Sequence, residues 1–167
     1  SGFRYCRTNC IMFIDFNKIS DNSRLWIYAS ETELISSQKD IISKSLKEFL
    51  SNWNHHGKSL GCSFSIIENR FIVISLDEEI NEVGGCAIDS LQNLINNFQN
   101  KLSLSLLNRL NVFIKLNDKI ICLPHHKLKL NKSINKDSLF YDLTISHKKQ
   151  LNSWLIKIKD GWCNKFL

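Results

Sequence analysis

The sequence predicts an α+β protein: a ferredoxin-like split β-α-β antiparallel sheet with helices on one face, plus an extra hairpin strand and a C-terminal strand/helix extension. Three observations predict it. Residues 62–67 (Cys-Ser-Phe-Ser-Ile-Ile) and 70–76 (Arg-Phe-Ile-Val-Ile-Ser-Leu) are rich in β-branched and aromatic residues, and they flank Asn69, which tolerates positive φ, so they read as a hairpin. Apolar residues at helical spacing stand on either side of that hairpin. The resulting order of strand, helix, strand, strand, helix, strand is that of the split β-α-β motif. Tight turns in it demand antiparallel neighbours and the helices serve as crossovers.

Each element has its own signal. Residues 25–29 (Leu-Trp-Ile-Tyr-Ala) are β-prone throughout and form the first strand. Ser30 is suited to cap the helix that follows, with Glu31 and Glu33 complementing the dipole of its first turn. Ile35, Ile42, Leu46, Phe49, Leu50 and Trp53 make one apolar stripe, which carries this helix to about Asn54, and Gly57 stops it. After the hairpin, Gly84-Gly85 opens a helix over 86–102 whose buried face is Ile88, Leu91, Leu94, Ile95, Phe98 and Leu102. Residues 110–116 form a strand, Asn117-Asp118 a two-residue turn, and 119–123 a second hairpin strand. Beyond Pro124 the pattern weakens. Residues 139–145 read as a short strand, and 147–158 as a helix docking Leu151, Trp154, Leu155 and Ile158 on the core.

At 167 residues and 19.4 kDa, with no repeat or linker, residues 12–167 suit a single domain. Met12 is the only methionine, so residues 1–11 are expected to be a leader or a cloning remnant. No apolar run approaches the roughly 20 residues that span a bilayer. Of the six cysteines, Cys62 and Cys122 sit inside strand-like runs, where the residue acts as a small hydrophobe. Without a secretory signal, reduced thiols in the cytoplasm are expected. Charge is uneven. Residues 1–108 carry 10 Lys+Arg against 12 Asp+Glu, and residues 109–167 carry 12 against 4, a net of +8. A basic C-terminal third suits RNA or another polyanion. A composition rich in Lys, Asn and Ile raises the isoelectric point equally well with no partner involved.

The predicted topology gathers chemistry at one sheet edge. The first helix ends there with Trp53, His55, His56 and Gly57, the third strand with Asp77, and the second helix begins there with Gly84, Gly85, Cys86 and Asp89. A thiol at a helix start meets the dipole and free N–H groups that favour the nucleophilic thiolate. His56 would be its base, and Asp77 would orient the imidazole. Gly84-Gly85 would cradle an anionic ligand, flanked by Asp89, Trp53 and His55. Each residue also has a plainer role. Cys86 can be a small packed residue, Asp89 a helix-dipole partner and His56 a C-terminal cap. Trp53 and Trp26 can be core aromatics, and Lys127, Lys129 and Lys132 a solvated face. Cys122-Leu-Pro-His125-His126 holds half of a zinc-ligand spacing without a second half, so no metal is expected, and no cofactor is specified.

Four stretches resemble an uncharacterised set of small bacterial proteins often labelled "ABC transporter ATPase". They are Ser23-Arg24-Leu25-Trp26-Ile27-Tyr28, Trp53-Asn54-His55-His56-Gly57, the run from Asn69 through Leu76-Asp77-Glu78, and Gly85-Cys86-Ala87-Ile88-Asp89-Ser90. The resemblance matches His56 rather than His55 to the family's Trp-x-x-His-Gly element. At the C-terminus, Cys163 stands where that family usually has histidine. The label implies an ATPase, but the sequence has neither a GxxxxGK[ST] loop nor an ABC signature, so it is not a P-loop enzyme.

Two functions remain open at this point. One is a ligand-binding or thiol-based catalytic site at the sheet edge. The other is a non-enzymatic module in which the basic third, or the exposed sheet face, holds RNA or a protein partner. A purely structural subunit of a larger assembly is a third class.

Overall fold

A computed structural model describes residues 14–55, 58, 59, 61–78 and 84–167. Among the described residues, antiparallel sheets combine with two α-helices and several 3₁₀ turns, an α+β architecture. The chain divides into two compact units: residues up to Leu106 with Ser146–Lys149, and Leu107–Ile145 with Gln150–Leu167.

In the first unit, strands β1 (Arg24–Ala29), β4 (Cys62–Ile67) and β5 (Phe71–Leu76) form a sheet of order β1-β5-β4, with β5 antiparallel to both neighbours. This is the split β-α-β arrangement. The helix α1 (Ser36–Ser51) links β1 to β4, and β5 slots between them. The turn closing β4 and β5 puts Glu68 and Asn69 at φ 55° and 54°, and the Arg70 N–H bonds the Ile67 carbonyl at 3.1 Å. Those values define a type I′ turn, whose twist suits a hairpin. Strand β5 is buried along its whole length. One face of the sheet carries Trp26, Ile74 and Phe64 in register and meets the helices. A shallow groove lined by Ile41 and Ser45 of α1, and by Leu94 and Phe98 of α2 (Gly85–Leu102), shows the helices side by side.

The second unit holds β6 (Asn111–Leu116), β7 (Lys119–Pro124), β8 (Leu139–Tyr141) and β9 (Leu155–Lys157) in the order β7-β6-β8-β9. Asn117, at φ 55°, closes the β6–β7 hairpin as expected. Val112, Ile114, Leu128, Ile134, Phe140, Ile158 and Cys163 make its core. A Cβ on Gly161 would overlap the Phe140 ring, so only glycine lets that ring pack there.

Four expectations need correction. The strand at 110–116 does not join the first sheet. It begins at Asn111 and pairs on both sides in the second sheet, while the outer edge of β1 takes the Leu25 N–H bond to Ser146 and the Arg24–His147 bridge. Ser30 does not cap α1. It is buried, and its N–H goes to the Arg70 carbonyl, while Leu34 N–H goes to the Asn69 carbonyl, so the hairpin turn ties down both ends of residues 30–34 and the helix starts at Ser36. Gln38 Oε1 then accepts from the Ile35 N–H. The other end of α1 stops at Ser51, and Asn54–His55 (β2) pairs with Lys58–Ser59 (β3) in a small hairpin instead of continuing the helix. Finally, 147–158 is not an α-helix but a 3₁₀ segment, Lys148–Ser153, followed by β9.

Candidate functional site

Three hydrogen bonds in the first unit tie the ends of its elements together. The Asp77 N–H donates to the Gly61 carbonyl at 2.7 Å, which continues the β4–β5 ladder one residue past β5. The Cys62 thiol donates to the Leu50 carbonyl at 3.4 Å, joining the start of β4 to the last turn of α1. The Trp53 Nε1–H donates to the Ala87 carbonyl at 2.9 Å, joining the end of α1 to the first turn of α2. Trp53 is 3% exposed and its ring meets Trp26 and Phe49 at 6.1 and 5.7 Å. It lies beneath the rim as a core aromatic with its one polar atom committed, so it supports the helix head and offers no open ring face.

The head of α2 is built for exposure. Gly84 is the N-cap residue in extended conformation, and among the described residues no side chain caps the helix or adds an acidic group to its first turn. Its carbonyl accepts from Ala87 and Ile88 at 3.1 and 3.2 Å. The earlier N–H groups, of Gly85 and Cys86, have no intrahelical acceptor by helix geometry. Cys86, the second helical residue, is exposed, and a Cβ at Gly85 would meet nothing within 4 Å. Asp89 is exposed one turn in, past the first-turn positions, so it does not take the first-turn place of a dipole partner.

Asp77 is half-buried at the strand end. Backbone of β2, which holds His55, runs beside α2. His56 and Gly57 lie outside the described residues. Arg24 is a rim residue that the sequence reading missed. It pairs in register with Leu76, its guanidinium lies 4.6 Å from the Trp26 ring centre, and it reaches Glu78 at 3.4 Å. Its place as the first residue of β1 and its parity with Trp26 were the available signal.

Two other described thiols, Cys62 and Cys163, are buried where Cys86 is exposed. Burial pushes Cys62 up to about 12. Burial does the same to Cys163, to about 11, with a backbone hydrogen bond opposing and the Asp142 carboxylate adding. Both stay protonated at neutral pH. Cys62, Cys86, Cys122 and Cys163 are all free of disulfides. Among the described residues no group of three or more His, Cys, Asp or Glu side chains is arranged to hold a metal ion, Cys122, His125 and His126 included. No described helix is long and apolar enough to cross a membrane.

No family model, curated protein or solved structure matches this chain.

Proposed function

We propose that the chain binds an anionic small molecule at the head of α2 and presents the Cys86 thiol to it, with His56 as the base and Asp77 as the group that orients the imidazole. What carries this reading is the uncapped helix head, with an exposed thiol in its first turn, fastened to the end of α1 by the Trp53–Ala87 bond. N–H groups without an intrahelical acceptor and the positive end of the helix dipole favour an anion. Gly84 and Gly85 allow close approach of a carboxylate or phosphate, and the Arg24 guanidinium stands at the same end of the sheet, paired there with Glu78. His55 and Asp89 would flank the ligand, and Trp53 would support it from below. Four unbridged cysteines favour a reducing compartment, the cytoplasm.

Iodoacetamide labelling of the native chain across pH, read by peptide mass spectrometry, tests this. Cys86 should alkylate at least roughly tenfold faster than Cys62, inorganic phosphate should slow it, and His56→Ala should lower its rate near neutral pH. A Cys86 no faster than Cys62 would end the proposal.

A second reading concerns the basic unit. Leu107–Ile145 and Gln150–Leu167 carry 10 Lys+Arg against 4 Asp+Glu, a net of +6, which equals the formal charge of the whole chain. That segregation favours a polyanion such as RNA over a uniformly biased composition. RNA binding that weakens as salt rises is the expected result, and binding without a salt slope would not be electrostatic.

A further inference from the structure

We infer that the surface made by His125–Leu130 and Trp162–Phe166 is a platform for single-stranded nucleic acid; this rests on the second reading above. The two 3₁₀ segments pack against each other within the second unit. Their rings form a continuous series. His126 meets His125 at 5.3 Å, His125 meets Phe166 at 4.5 Å, and Phe166 meets Trp162 at 6.2 Å. Trp162 and Phe166 rest one side on the unit's core yet are only half-buried, and His126 is exposed. Another aromatic pair of the unit, Tyr141 and Trp154, is buried at 5% and 8% exposure and has no such availability.

Cations border the rings. Lys165 Nζ lies 5.2 Å from the Phe166 ring centre, and Lys127 and Lys129 are exposed on the neighbouring segment. Asp137 is engaged by Lys157 and Lys159 at 3.8 and 3.3 Å, whereas Asp160, two residues before Trp162, and Asp142, whose charge acts on Cys163, are carboxylates beside the Trp162–Phe166 segment. Among the described residues Lys127, Lys129 and Lys165 form no ion pair. Half-exposed rings interleaved with unpaired ammonium groups match what unpaired bases and their phosphates require, since stacking needs an open base face and the backbone needs cations. A duplex hides its base faces and would gain only the phosphate term.

The test is fluorescence anisotropy of a labelled oligouridine with the full chain at several salt concentrations. The wild type should bind with a clear salt slope, and more tightly than it binds a duplex of equal phosphate count. Lys127→Gln with Lys165→Gln should weaken binding several-fold and reduce the slope by about 1.4, two contacts at about 0.7 each. His126→Ala, at an exposed position, should weaken binding with the slope unchanged. The matched pair Lys44→Gln with Lys47→Gln, on exposed α1 positions, should change neither. No salt-dependent binding by the wild type would remove the polyanion reading itself. Binding that the platform variants leave intact, or that the α1 pair weakens equally, or that a duplex matches, would overturn the platform alone.

Discussion

The indole Nε1 of Trp53 donates to the carbonyl of Ala87 across 2.9 Å, a bond between residues 34 apart in sequence. A buried indole N–H needs an acceptor, and this one takes a carbonyl in the first turn of α2. The bond therefore fixes where the Cys86 turn sits relative to the end of α1. Trp53→Phe keeps most of the ring contact with Trp26 and Phe49 while deleting the donor. It should cost about 1–2 kcal/mol by denaturant titration and speed amide exchange at the start of α2. An unchanged exchange rate there would show that the bond does not hold the helix head.

The thiols make a second prediction. Burial raises Cys62 to about 12 and Cys163 to about 11, against 9.0 for a free thiol. The folded state holds these protons more tightly than the unfolded one. The stability they contribute is therefore complete below pH 9 and is lost as pH climbs through the interval up to the folded values. Each thiol costs up to about 1.4 kcal/mol per pH unit there. Urea midpoints should fall between pH 9 and 11 in the wild type and fall less steeply in Cys62→Ala measured against its own value at pH 8. Equal slopes would place the alkaline loss elsewhere.

The type I′ turn supplies a third. Asn69 at φ 54° is a favourable choice, and its amide also accepts from Lys39 Nζ at 2.8 Å and donates to Glu33 at 3.3 Å. Glu68 at φ 55° is an unfavourable one on an exposed position. Glu68→Gly should raise stability by up to about 1 kcal/mol, since the left-handed conformation costs a residue with a Cβ about 1–2 kcal/mol and glycine loses part of that gain through entropy. A destabilised variant would mean that the Glu68 side chain has a role of its own.

Local signals carried the first unit well. The hairpin at 62–76 and the helix at 85–102 follow from alternation, spacing and turn chemistry, and the split β-α-β order follows from those elements alone. Sheet membership of β6 was not legible, because its apolar run pairs as readily with β1 as with β8, and that choice is decided by which other segment reaches each edge. In the C-terminal stretch, Leu151, Trp154, Leu155 and Ile158 fit a helical stripe, but Trp154, Ile156 and Ile158 also alternate, and β9 follows the second period. Of the rim, the meeting of α1's end with α2's start was readable from topology. Arg24 was legible from its parity with Trp26 in one stretch, whereas the committed indole of Trp53 depends on a contact with Ala87 that no single stretch displays.

Buried hydroxyls give a fourth prediction. Ser63 and Ser75 stand directly opposite each other in the β4–β5 ladder, at 1% and 0% exposure, and neither Oγ has a partner among the described residues. An unsatisfied buried hydroxyl carries a desolvation cost of about 1–3 kcal/mol. Ser75→Ala removes one such atom from the centre strand with little change in volume, so the variant should be as stable as the wild type or more so by about 1 kcal/mol. A clear loss in thermal unfolding would show that the hydroxyl is satisfied by a bound water.

Gly85 separates a structural from a functional requirement at the head of α2. Its φ lies outside the left-handed region, and a Cβ there would meet nothing within 4 Å, so the fold does not need glycine at this position. Alanine is the better helix former by about 0.5–1 kcal/mol, less at a first-turn site, so Gly85→Ala should unfold at the same temperature or slightly higher. An anion cradled by the free N–H groups of Gly85 and Cys86 would instead meet the added methyl. Gly85→Ala should therefore weaken the protection that phosphate gives Cys86 against iodoacetamide, while the rate without phosphate stays close to that of the wild type. Undiminished protection in a stably folded variant would mean that the anion does not sit at the helix head, and Cys86 would then be an exposed thiol beside a site located elsewhere.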